Sequence, residues 1–280
     1  MTNAPENTFV LCADDYGLSA PVSRAILALA RTGRISALSC MTASKFWPEH
    51  GPWLKEVADR VDIGLHLTLV DEAPLTPMPR MAPEGRLPSL ERLIAKSYAR
   101  TLDLAEIAAE MDAQLQAFTA AMGRLPAHID GHLHAHVLPG IRDLVLARAR
   151  ALSPRPWLRN VHDSFGAISR RGVAVPKAAF IAALGRGFKA AAADMPDRLN
   201  AGFSGVYAFS DTPVDYGAVF ARFVEERGSR HVILCHPGEA GDALAAWDRS
   251  RAVEYEFLAG PRFADFLSDR GLRVARFKAA

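Results

Sequence analysis

Four of the nine histidines fall in one nine-residue stretch, His128-Ile129-Asp130-Gly131-His132-Leu133-His134-Ala135-His136. Its polar members all sit at even positions. On an extended strand side chains alternate between faces, so the imidazoles and Asp130 would share one side. If the backbone instead turns at Gly131 into a helix, His132 and His136 stand four apart on one face. Imidazole is the commonest metal ligand, and carboxylates join it as ligands or orient it from behind, so either geometry can hold a metal. Three further stretches carry compatible chemistry. Asp14 and Asp15 end an apolar run and precede Tyr16-Gly17. His66 lies inside the run Val61–Leu69, and His236-Pro237-Gly238 follows Val232-Ile233-Leu234-Cys235. Reactive groups at the C-terminal ends of strands are the arrangement α/β barrels use for active sites.

Such residues need a scaffold whose strand ends converge. Phe9–Ala13, Ile35–Met41, Val61–Leu69, the His128–His136 stretch, Trp157–Val161, Gly205–Phe209, His231–Cys235 and Leu272–Phe277 read as strands. Between them lie helical patterns. Ser19 caps the first and Pro21 opens it, with apolar residues at 22, 25, 26, 29 and 30 and Gly33 at its end. Others span Leu102–Met122, Leu138–Leu152, Pro176–Ala193, Val214–Arg227 and Pro261–Asp269, and a helix follows Trp53 once Pro48 and Pro52 are passed. Alternating strands and helices specify an α/β protein with a mostly parallel sheet, closed or distorted into a barrel. No repeat, linker or low-complexity segment divides the chain, so residues 1–280 read as a single domain. Asp71–Leu90 carries Pro74, Pro77, Pro79, Pro83 and Pro88 with Gly85, and reads as a long substrate-covering loop within an insertion over 71–100.

Composition narrows the classes. Half of the 280 residues are hydrophobic, 23% are charged and the net charge is +2, as in an ordinary globular protein with no field to attract nucleic acid. Cys12, Cys40 and Cys235 each lie in an apolar run, which predicts buried thiols rather than a disulfide framework. No secretory leader or uncharged membrane-length run is visible, so the expected compartment is the cytoplasm. Oligomeric state is not readable, although an apolar patch under the Pro-rich loop would suit a homodimer.

Taken in order, Ala13-Asp14-Asp15-Tyr16-Gly17-Leu18-Ser19, Gly64-Leu65-His66-Leu67-Thr68-Leu69, His128-Ile129-Asp130-Gly131-His132-Leu133-His134 and His236-Pro237-Gly238 resemble the YdjC family of carbohydrate deacetylases. That family includes chitooligosaccharide deacetylases and the deacetylase-like proteins of hopanoid biosynthesis. The resemblance covers nearly the whole chain. It implies an irregular TIM-like (βα) barrel with one divalent metal ion, zinc or magnesium. Matching motif positions imply Asp15, His66 and His132 as metal ligands, Asp14 as general base and His236 as general acid. Two positions depart from the pattern: Tyr16 stands where Phe is frequent, and Leu133 where some members carry another His.

The chemistry implied is amide hydrolysis of an N-acetylated amino sugar, free or in an oligosaccharide or glycoconjugate. A metal on two His and one Asp leaves positions for water and for the carbonyl oxygen, and it stabilises the oxyanion. Asp14 would take the water's proton, and His236, titrating in the useful range, would protonate the departing amine. Asp130 and His134 would orient His132 or line the site. Arg159 reaches a sugar or the catalytic Asp, or forms a plain salt bridge. Trp47, Trp53, Trp157 and Trp247 are candidates to stack on a sugar ring. His50, His162 and His231 lack a partner pattern and read as structural or surface residues. The competing readings are a metal-dependent phosphoesterase or other amidohydrolase, and a non-catalytic carbohydrate-binding protein. Many of the former carry an early His-x-His, where this chain has Asp-Asp; the presence of both Asp14 and His236 argues against the latter.

Overall fold

The computed structural model describes residues 7–209, 214–240 and 246–278, with the backbone alone for 246–248. Its strands are β1 (Thr8–Tyr16), β2 (Ala37–Cys40), β3 (Asp62–Leu67), β4 (His128–Gly131), β5 (Trp157–Leu158), β6 (Gly202–Ser204), β7 (His231–Cys235) and β8 (Arg273–Val274). They run in the order β5-β4-β3-β2-β1-β7-β6, with β8 on the start of β1, and every pairing is parallel. Each strand of the curled sheet has one face toward the interior and the other toward the helices, which is why β2, β3 and β7 are buried at every residue even where they carry Ser39, Asp62, His66 and His231.

The sheet curls until its ends meet, and the seam is thin. One parallel bridge joins Leu158 to Leu199. Beside it, Asn200 closes the gap with its side chain, accepting from the Asn160 amide at 2.6 Å and donating to the Asn160 carbonyl at 2.7 Å. This is the irregular, TIM-like barrel expected from the sequence, built on seven strands rather than eight regular βα units.

The helices are α1 (Ala20–Arg31), α2 (Trp47–His50), α3 (Leu90–Tyr98), α4 (Leu104–Met122), α5 (Ile141–Ala151), α6 (Phe165–Arg171), α7 (Val175–Ala191), α8 (Tyr216–Val224), α9 (Ala246–Ala259) and α10 (Pro261–Asp269). Ser19 caps α1 by accepting from the Val22 amide, and Gly123 ends α4 in the left-handed region. Among the described residues no helix is long and apolar enough to cross a membrane. All three cysteines are free and buried.

Several expectations need correcting. The even-position alternation holds only for His128 and Asp130. After Gly131 the chain enters a 3₁₀ turn, His132–Val137, with Leu133 and His134 left-handed (φ 50° and 62°), so neither a long strand nor a regular helix carries the cluster. Gly205–Phe209 is not a strand: β6 lies just before it, and Gly205 at φ 110° turns the chain away. A Cβ there would meet the Leu234 carbonyl at 2.3 Å, so only glycine passes. Pro48 and Pro52 open α2 and the 3₁₀ turn Gly51–Val57 instead of delaying a helix past Trp53. The 71–100 insertion ends in α3, capped by Ser89. Helices α6 and α9 were not anticipated.

Candidate active site

Asp14 and Asp15 are neighbours, yet both line the same cavity. A regular strand would point them to opposite faces. The pairing of β1 with β2 shows the reason: Ala13 faces Leu38 but Tyr16 faces Cys40, so β1 holds one extra residue there. Asp15 sits in that bulge at φ 70°, a left-handed conformation that costs free energy and is held by the structure around it.

Register sets the next group. His66 on β3 lies directly beside Asp130 on β4. His66 Nδ1 donates to Asp130 Oδ1 at 2.6 Å, which leaves Nε2 pointing at Asp15 Oδ1, 3.3 Å away. His132, one residue past β4, reaches the same oxygen with Nδ1 at 2.9 Å. Three potential donors, Asp15 Oδ1, His66 Nε2 and His132 Nδ1, therefore converge. Two donor atoms each bonded to one ion at about 2.0–2.1 Å lie about 2.9–3.4 Å apart at octahedral to tetrahedral angles, so these separations fit a single divalent ion. The carboxylate behind His66 is the partner a metal-binding imidazole characteristically has. Asp130 thus orients His66, not His132 as expected.

Arg159 follows β5, wholly buried beneath the site. Its guanidinium grips Asp14 with two hydrogen bonds, at 2.5 and 2.6 Å, and lies 2.6 Å from Asp130. His136 holds the Arg159 backbone, its Nε2 donating to the carbonyl at 2.8 Å. His128 lies flat over Gly64 and bonds Ser39 Oγ at 2.9 Å, while Ser39 donates to Asp130 at 2.7 Å. On the other side of β1, Ala13 pairs with Cys235, which puts His236 beside Asp14 in register.

Burial alone would raise the Asp15 carboxyl, but Arg251 and His132 outweigh it and hold Asp15 well below the usual range. Asp130 behaves likewise: burial opposes ionisation, and Arg159 and His66 override it. Burial lowers the His66 imidazole, yet Asp130 and Asp14 push it up to about 10. His236 moves the other way. Burial brings it to about 4 against the pull of Asp15 and Asp14, so it is neutral at pH 7, outside the range the sequence suggested. His134 is also held neutral, chiefly by burial and then by Arg159. The Nδ1 atoms of both rings lack a partner among the described residues.

Asp14, Asp15, His66, His132, His134 and His236 floor a cavity of about 310 Å³ whose walls are largely apolar: Leu90, Leu133, Phe180, Ile181, Leu184, Val206 and Phe209. Lys177 at its side donates to the Tyr207 carbonyl at 3.0 Å. None of Trp47, Trp53 and Trp157 lines it; they stack on Phe118, His50 and His128 instead, and the Trp247 side chain lies outside the described residues. The cavity's aromatics are Phe180, Tyr207 and Phe209.

Two contributors were missed in the sequence, both on α9. Arg251 donates to Asp15 Oδ2 at 2.5 Å, and Glu254 accepts from the His236 amide at 2.6 Å. Their signal was a charged pair three residues apart inside Arg251-Ala252-Val253-Glu254, which reads equally well as a solvated helix face.

A curled parallel sheet with a carboxylate–imidazole cluster at its strand ends defines this chain as a TIM-like α/β-barrel protein with a site able to hold a metal. The chain belongs to the YdjC family: the model of the YdjC-like protein matches residues 8–269. It is 28% identical over 281 residues to chitooligosaccharide deacetylases of Yersinia pestis (strain Pestoides F) and Yersinia pseudotuberculosis serotype O:1b, covering 97% of this chain and 98% of theirs. Its fold matches the crystal structure of a candidate cellobiose-phosphate cleavage protein from Enterococcus faecalis V583 with a TM-score of 0.72 at 21% identity, over 96% of this chain and 97% of that one.

Proposed function

We propose that the protein is a metal-dependent N-deacetylase acting on an N-acetylated amino sugar, such as an N-acetylglucosamine unit of an oligosaccharide or glycoconjugate. The observation that carries this reading is the convergence of Asp15 Oδ1, His66 Nε2 and His132 Nδ1 at 2.9 and 3.3 Å beside the buried Asp14. Family membership and the chitooligosaccharide deacetylase relatives support it.

Asp15, His66 and His132 would hold the ion, and their donor types suit zinc or magnesium. The bound ion supplies Lewis-acid polarisation of the acetamide carbonyl and of the attacking water. Asp14 takes the proton of that water, and Arg159 fixes its carboxylate for the task. His236 enters neutral, so it can act as acid only on a proton received during the reaction. Asp14, which has just gained one, is the source within the same cavity. His134 offers an unpartnered ring nitrogen to a sugar hydroxyl, and the aromatic walls suit the apolar face of the ring. Leu90, where the insertion meets α3, borders the cavity and supports a covering role for that segment.

The test is acetate release from a panel of N-acetylglucosamine oligomers and conjugates, each with and without a chelator. Release that a chelator abolishes and added metal restores is the expected result. Release that persists in chelator removes the metal from the reading. No release from any member, with metal bound, moves the protein to another hydrolase substrate or to carbohydrate binding.

A further inference from the structure

Arg251 and Glu254 stand three residues apart on α9 and are buried together behind the site. Their contacts divide cleanly. Arg251 takes Asp15 Oδ2, the oxygen turned away from His66 and His132. Glu254 accepts from the His236 main-chain amide with Oε2 and from the Tyr207 hydroxyl with Oε1, both at 2.6 Å. The Arg251 carbonyl also accepts from the Gly238 amide at 3.1 Å. One helix thus touches the Asp15 carboxylate and both ends of the His236-Pro237-Gly238 turn.

We propose that Arg251 and Glu254 are positioning residues of the active site, Arg251 for the Asp15 carboxylate and Glu254 for the His236 turn. The inference rests on Asp15 as metal ligand and His236 as proton donor. A free carboxylate can rotate and offer either oxygen, or both. With Oδ2 occupied by a guanidinium, Asp15 presents Oδ1 alone, at a fixed angle to the two imidazoles. The other reactive groups are already held from behind, His66 by Asp130 and Asp14 by Arg159. Asp15 and His236 are held likewise, both by α9. Stability alone does not explain the buried Arg251–Asp15 ion pair, because apolar replacements of such pairs are often neutral or stabilising.

The test uses the full chain, stripped of metal and titrated with Co²⁺, whose visible absorption reports coordination geometry. Arg251→Lys keeps the charge but loses the planar fork, and is expected to weaken Co²⁺ binding about 10–100-fold and to alter the absorption bands. Glu254→Ala is expected to leave Co²⁺ affinity within about twofold, yet to lower kcat on an N-acetylated chitooligosaccharide about tenfold at nearly constant KM. Glu254→Gln, whose carbonyl still accepts from the His236 amide, should recover most of that loss. If Glu254→Ala does not fold, Glu254→Leu carries the same expectation. Wild-type affinity and bands in Arg251→Lys, or unchanged kcat in the Glu254 variant, overturn the proposal. Asp15→Asn separates its failure from that of the metal reading. Co²⁺ bound normally by Asp15→Asn brings down both; Co²⁺ lost there but kept in Arg251→Lys brings down the positioning role alone.

Discussion

Arg159 binds both oxygens of Asp14, Nη1 to Oδ2 at 2.5 Å and Nη2 to Oδ1 at 2.6 Å, and the same Nη2 lies 2.6 Å from Asp130. One guanidinium therefore links the candidate base to the carboxylate that orients His66. A lysine ammonium is a point charge and cannot reproduce this fork. Arg159→Lys should lower kcat/KM about 10–100-fold while the protein still folds. Arg159→Met leaves the buried Asp14 carboxylate without its guanidinium and Asp130 with His66 alone, and should cost about 3–5 kcal/mol in urea unfolding. Unchanged kinetics in the lysine variant would reduce Arg159 to a structural ion pair.

Asp14 and Asp15, though adjacent, should respond differently to loss of charge. Asp14→Asn keeps the shape and the hydrogen bonds its carbonyl can accept, but it cannot take a proton. Turnover should fall about 10²–10⁴-fold with metal content unchanged. Asp15→Asn should lose metal, and with it the stabilisation that binding supplies, about 2.7 kcal/mol at a metal concentration 100 times Kd. Metal analysis and thermal melts of the two variants, side by side, check the division. Metal loss from Asp14→Asn would move Asp14 into the ligand set.

The division between what the sequence disclosed and what it hid has physical causes. Asp14, Asp15, His66, Asp130, His132 and His236 were legible because polar groups in apolar runs have few other uses, and parallel register brings strand ends together. The parallel sheet followed from the alternation of strands and helices. The path of the histidine stretch was not legible, because two successive left-handed residues, Leu133 and His134, are uncommon outside glycine and nothing in the local pattern announces them. Arg251 and Glu254 were hidden because a charged i, i+3 pair has the same pattern whether a helix face meets water or a buried site. The partner of Asp130 was hidden for another reason: His66 and His132 are equally plausible until register is known, and the β3–β4 pairing selects His66.

Gly64 exists for His128. A Cβ built on Gly64 would stand 2.3 Å from three atoms of the His128 ring, which is also stacked on Trp157 at 4.2 Å and cannot swing away freely. Gly64→Ala should therefore destabilise by about 1–3 kcal/mol or more, as overpacking of a tight core does. The double variant Gly64→Ala with His128→Ala should recover part of that loss, because the clash needs both side chains. Strict additivity of the two single effects in urea unfolding would show that the ring is not what Gly64 accommodates.

Burial holds His134, His136, His231 and His236 neutral, which should make the fold acid-sensitive. Burial pushes His231 down to about 3, helped by Arg171 and Arg227; it pushes His136 to about 4 despite the hydrogen bond to Arg159, and His236 to about 4. The unfolded chain protonates these rings near their ordinary value of about 6.5. Between about 6.5 and the folded values the unfolded state holds more protons, so stability is full above about 6.5 and is lost as pH falls toward 3–4. Glu254 opposes this. Burial raises it to about 7, so from its ordinary range up to 7 the folded state holds the extra proton and stability falls as pH rises. The two contributions partly cancel in the wild type, but a single variant isolates one. His231→Asn, remote from the reactive groups and with Nε2 bonded to Ser204 at 2.9 Å, should be less stable at pH 7. Near pH 5 its stability should change with pH by about one proton less than that of the wild type, since the Glu254 contribution is common to both. Urea midpoints across pH 4.5–7 measure the difference. Parallel curves for the two proteins would mean that His231 keeps an ordinary affinity for protons inside the fold.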